Sequence, residues 1–84
     1  MSWPGHVWDQ LKNLSVDELI RALHRDGWHL ARSRGAILVY EHFDGRRVSV
    51  HYHPRKTYSP GLLKDLLRDT GWTESDLQRL KLIK

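Results

Sequence analysis

The sequence predicts a single small α+β domain in the order αβββα: a three-stranded antiparallel sheet, helices packed on one of its faces, and a short C-terminal helix. Three observations carry this expectation. A serine-led capping box opens one amphipathic stretch, a proline-led amphipathic stretch follows in the second half, and strand-like residues between them are divided by Asp44 and Gly45. With 84 residues there is room for one modest core, because a chain this short buries only about 60% of the surface its unfolded form exposes.

Residues 1–14 read as an N-terminal extension and residues 15–84 as the domain. In the extension, Trp3, Val7, Trp8 and Leu11 have the spacing of a short docking helix. Ser15 and Glu18 form the capping box of the next helix, whose Val16, Leu19, Ile20 and Leu23 share a face and which stops at Gly27 before Trp28. A strand from about Trp28 to Ser33 leads to a turn at Arg34 and Gly35. Asp44 and Gly45 then predict a two-residue type I′ hairpin in which Phe43 pairs with Arg46. That register puts Ile37, Val39, Val48, Val50 and Tyr52 on the core face, and Leu38, Tyr40, His42, Arg47, Ser49, His51 and His53 on the outer one. Ser59 and Pro60 open a helix carrying Leu62, Leu63, Leu66 and Leu67, which ends at Gly71 before Trp72. The repeated glycine-tryptophan ending reads as shared capping chemistry rather than an internal repeat. Thr73 and Asp76 form a weaker capping box for the terminal helix, with Leu77 and Leu80 inward.

Charge narrows the partner. Between Arg32 and Lys56 there are six basic residues and two acidic ones, so the whole net charge of +4 arises in that central segment. A basic surface confined to one part of a small domain suits a polyanion, since each neutralised phosphate releases condensed counterions. A charged sheet edge that blocks strand addition is the alternative. With no cysteine, disulfides, thiolate metal sites and a cysteine nucleophile are excluded, and a reducing cytoplasm fits. No apolar run approaches the roughly 20 residues that span a bilayer, and the first residues lack the apolar stretch of a signal peptide, so no membrane partner is expected.

Six histidines invite a catalytic or metal reading. His51 and His53 stand two apart on one strand, and the expected hairpin register brings His42 toward the same face. Imidazoles so gathered would serve as general acid and base on a ribose hydroxyl, whereas zinc would lack a completing carboxylate or thiolate, and no metal or other cofactor is assigned. Arg55 and Lys56 precede the helix opened by Ser59 and Pro60, where free backbone N–H groups favour a phosphate. No nucleotide-binding glycine loop, paired carboxylates or Ser/His/Asp order is present.

These residues fall in a familiar order: Gly27 and Trp28 after the helix; Arg34 and Gly35; Val39, Tyr40, Glu41 and His42; Asp44, Gly45, Arg46, Arg47 and Val48; then His53, Lys56, Pro60, Gly61 and Gly71. From Leu14 to about Leu80 the chain resembles, without gaps, the HicA toxins of bacterial toxin-antitoxin pairs. The resemblance implies a fold like that of double-stranded-RNA-binding domains, endoribonuclease activity on messenger RNA (an mRNA interferase), and a HicB-like antitoxin partner. It also implies RNA rather than DNA, with Arg34, Arg46, Arg47, Arg55 and Lys56 as phosphate contacts. One position departs: where the family carries a glycine, a small residue and the catalytic histidine, this chain reads Gly35, Ala36 and Ile37. If that histidine is a general base, its absence removes a factor of roughly 100 to 10,000. Three accounts follow: a nuclease-dead member that still binds RNA or antitoxin, an active member whose base is His42, His51 or His53, or an inactivated variant. The rival from another class is a protein-interaction module that meets a HicB-like antitoxin or a second copy of itself.

Overall fold

The helices begin and end where local side-chain chemistry satisfies their exposed backbone groups. The computed structural model describes residues 3–52 and 60–84, in the order α1 (Gly5–Leu11), α2 (Val16–Arg25), β1 (His29–Arg34), β2 (Ile37–Glu41), β3 (Arg47–His51), α3 (Pro60–Thr70) and α4 (Glu74–Arg79). Ser15 caps α2 by accepting the Glu18 N–H, and its hydroxyl donates back to the Glu18 carboxylate. Thr73 and Asp76 complete a reciprocal capping box on α4.

The two glycine-tryptophan corners share backbone sign and one hydrogen bond, and differ in a second. Gly27 has φ +88°, and the Trp28 and Gly27 amides donate to the Leu23 and His24 carbonyls, the pair of bonds that closes a Schellman motif. After α3 the Gly71 amide likewise donates to the Arg68 carbonyl, but the Thr70 hydroxyl replaces the second bond, donating to the Leu67 carbonyl and accepting the Trp72 N–H. The expected shared capping chemistry therefore holds at the glycines and differs at the tryptophan amides.

Three antiparallel strands lie in the order β1-β2-β3, and the helices cover one face, α3 packing against β3. Val16, Leu19 and Leu23 of α2, Val48 and Val50 of β3, Leu67 of α3 and Leu77 of α4 form one core. Val7 and Leu11 of α1 are fully buried in it, so the N-terminal helix is a packed element, as its spacing predicts.

The hairpin register differs from the expected one by a single residue, and this reverses the β2 faces. Tyr40 pairs with Val48 and Leu38 with Val50, and the connection is a three-residue loop of Phe43, Asp44 and Gly45. The Gly45 amide donates to the His42 carbonyl, the His42 amide donates to the Arg46 carbonyl, and Gly45 takes φ +100°. This is the loop in which a turn is followed by a left-handed glycine, rather than the two-residue turn that Asp-Gly also suits. Because side chains alternate, the slip carries the whole of β2 with it. Tyr40 (3% exposed) and His42 face the core, and Leu38 packs against it. Ile37 (39% exposed) faces outward rather than inward as the expected register had it, while Val48 and Val50 are buried as expected.

Candidate nucleic-acid interface

The sheet face turned away from the helices is the one extended surface on which the described basic strand residues meet. Pairing defines three rows across it: Arg34, Ile37 and His51; Arg32, Val39 and Ser49; His29, Glu41 and Arg47. A bulge in β1 between Leu30 and Arg32 keeps this parity, taking up Ala31 so that both arginines and His29 stay on the same side. Between the second and third rows lies a depression of about 310 Å³ lined by Arg32, Val39, Glu41, Arg47 and Ser49.

Charge on this face is unevenly neutralised. Glu41 accepts from Arg47, at 2.6 Å to Nη2 and 2.9 Å to Nε, and lies 4.0 Å from the His29 imidazole. Arg32 and Arg34 make no ion pair among the described residues. Two uncompensated guanidiniums on an exposed strand, with a third held in place by Glu41, form a positive platform.

His51 is exposed on this face, directly opposite Ile37. Side chains so paired have Cβ atoms about 4.5–5.5 Å apart. His42 is elsewhere, which corrects the expectation of three gathered imidazoles. Its buried ring packs edge-on to Trp28 at 5.3 Å and against Phe43 at 4.4 Å. Its Nε2 lies 3.1 Å from the Asp26 carbonyl, and its Nδ1 sits 3.3 Å from the Asp44 amide and 3.1 Å from the Asp44 carboxylate. His53, Arg55 and Lys56 lie outside the described residues, as does Ser59.

Arg46 is also placed away from the platform. It pairs with Asp44 at 2.8 Å, donates to the Thr70 carbonyl and lies over the Trp28 ring at 5.2 Å. The Arg46 amide and guanidinium, donating to the Asp44 carboxylate, hold its pKa below the usual value. Arg46 thus ties the hairpin loop to the end of α3.

Arg32 and His29 belong to the platform although the sequence does not assign them to it, and Ser49 joins them on the outer face expected of β3. The places of Arg32 and His29 relative to each other depend on the β1 bulge, which leaves no local signal. Among the described residues, no three His, Cys, Asp or Glu side chains gather in a way that could hold a metal ion. No described helix is long and apolar enough to cross a membrane.

Comparison with known proteins agrees with this architecture. The family described as HicA toxin of bacterial toxin-antitoxin matches residues 16–72, which run from the start of α2 to the tryptophan after α3. No curated protein matches the chain. The match covers more than half of the 84 residues and includes all three strands, and the chain accordingly belongs to the HicA toxin family of bacterial toxin-antitoxin systems.

Proposed function

We propose that this toxin binds RNA on the outer face of its sheet, with Arg32, Arg34 and Arg47 contacting phosphates and Arg55 and Lys56 extending the contact. In this reading His51 supplies the imidazole that Ile37 lacks. The observation that carries it is the row Arg34, Ile37 and His51, which puts an exposed imidazole and an unpaired guanidinium on either side of the position where the family carries its catalytic histidine. Ile37 faces outward, so a substrate lying over residue 37 also lies over His51.

The chemistry needs no metal. A neutral His51 takes the proton of a ribose 2′-hydroxyl, and the freed oxygen attacks the adjacent phosphorus. The P–O5′ bond breaks, leaving a 2′,3′-cyclic phosphate on one fragment and, after protonation by water, a 5′-hydroxyl on the other. Arg34 offsets the charge that builds on the non-bridging oxygens. In EDTA, the protein is expected to cleave a mixed-sequence RNA, and His51→Ala to lower the rate by about 100- to 10,000-fold while leaving RNA binding within a few-fold. Intact RNA that the protein still shifts on a gel would remove His51 from catalysis and leave a binding toxin.

A second reading is an interaction module that meets a HicB-like antitoxin or a second copy. Its support is apolar exposure: Phe43 in the hairpin loop is 88% exposed, Ile37 is open on the platform, and Leu30 is open on the other side of the edge strand β1. Concentration-dependent sedimentation without an RNA shift at low salt would favour it.

A further inference from the structure

On the helical side of the molecule, α1 and α3 enclose a cavity of about 530 Å³, within the range of small-ligand sites. Three of the chain's four tryptophans line it: Trp3, Trp8 and Trp72. Trp3 and Trp8 precede residues 16–72, so this site lies partly outside the segment that matches the family. Their rings pack at 5.0 Å with a 44° tilt.

Polar groups at the cavity select its occupant. The Trp3 indole N–H is covered and has no hydrogen-bond partner among the described residues, so it is the indole faces, not this N–H, that the cavity offers a ligand. The exposed Lys64 ammonium lies over the Trp8 ring at 5.2 Å and makes no ion pair among the described residues. Arg68 stands one turn further along α3, held by Asp65 at 3.1 Å. Two cations against one carboxylate leave the rim positive. A hydrocarbon would leave the positive rim unmatched, and a simple inorganic anion would not use the aromatic walls. A planar base bearing a phosphate meets both demands: it stacks on indole and sets its anion beside Lys64 and Arg68.

We propose that this cavity is a nucleotide site, taking one base with its phosphate, separate from the outer sheet face and independent of whether that face binds RNA. The nucleotide comes either as a free mononucleotide or as an unpaired residue of a strand. The test is tryptophan fluorescence of the full chain titrated with AMP, adenosine, inorganic phosphate and a six-nucleotide single-stranded RNA. Saturable quenching by AMP, at least about tenfold tighter than by adenosine or phosphate, is expected, because base and phosphate each contribute. The double variant Lys64→Met/Arg68→Met changes exposed residues only and is expected to weaken AMP about tenfold or more without altering the circular dichroism spectrum. Trp8→Leu is expected to do the same through loss of stacking. Quenching by the oligonucleotide but not by AMP, retained in Arg32→Glu/Arg34→Glu and lost in the Lys64/Arg68 variant, would identify a strand as the source. No saturable quenching by either, or quenching unchanged in the Lys64/Arg68 variant, overturns the proposal.

Discussion

Asp26 shows how much one side chain can organise in a chain this small. Its Oδ2 accepts the indole N–H of Trp28 at 3.0 Å and of Trp72 at 2.7 Å, while Oδ1 accepts Arg79 Nη2 at 2.6 Å. Both glycine-tryptophan corners and α4 are thereby fixed to the end of α2. Burial alone would raise the Asp26 pKa, but the bonds from Trp72, Arg79 and Trp28 together outweigh it and hold the pKa below the ordinary carboxylate value. The folded form therefore binds this proton more weakly than the unfolded chain, and the stabilisation is complete above the unfolded value of about 3.9 and is lost as pH falls through the lower folded value. Asp26→Asn is expected to cost about 1.5–3 kcal/mol at pH 7, since it weakens hydrogen bonds to a charged group and leaves Arg79 without its closest partner. Urea unfolding at pH 7 and near pH 3 checks this: the gap between wild type and variant should narrow at the lower pH. Nothing in the sequence around Asp26 announces the full role, because two of its three side-chain partners, Trp72 and Arg79, lie 46 and 53 residues away.

Among the elements, the helices were legible and the hairpin was only half so. Capping boxes, a leading proline and terminating glycines act within one turn, so Ser15, Thr73, Pro60 and Gly27 mark their boundaries without help from the rest of the chain. The face of β3 was also legible, because Val48 and Val50 alternate with Arg47, Ser49 and His51. The face of β2 was not: Ile37, Leu38, Val39 and Tyr40 are apolar at both parities, so only the loop could set the register, and Asp-Gly serves two loop lengths. His42, a polar residue, then looked exposed although it packs beneath Trp28. The observed loop depends on left-handed Gly45, where an added Cβ meets no atom within 4 Å. Gly45→Ala should therefore act through backbone strain alone and cost about 1–2 kcal/mol. A urea midpoint unchanged from wild type would contradict the assigned loop.

For the whole molecule, the consequence of the register is functional. The slip that buries Tyr40 and His42 turns Ile37 and Val39 outward beside Arg32, Arg34, Arg47 and His51, and the molecule presents two surfaces of distinct character. One is a basic sheet face within the family segment; the other is a tryptophan-lined cavity built partly from the N-terminal helix. The basic excess of the central segment foretold that a platform exists, but its membership needed the bulge at Ala31 and the three-residue loop. The most direct test is the salt dependence of RNA affinity for wild type and for Arg32→Glu/Arg34→Glu. Three phosphate contacts from the described arginines imply a log–log slope of about −2 on single-stranded RNA, steeper if Arg55 and Lys56 add to them. The double variant should bind more weakly at every salt concentration, with the slope reduced by about 1 to 2. A flat wild-type slope, or a double variant that binds like wild type, would contradict the outer sheet face as the RNA interface.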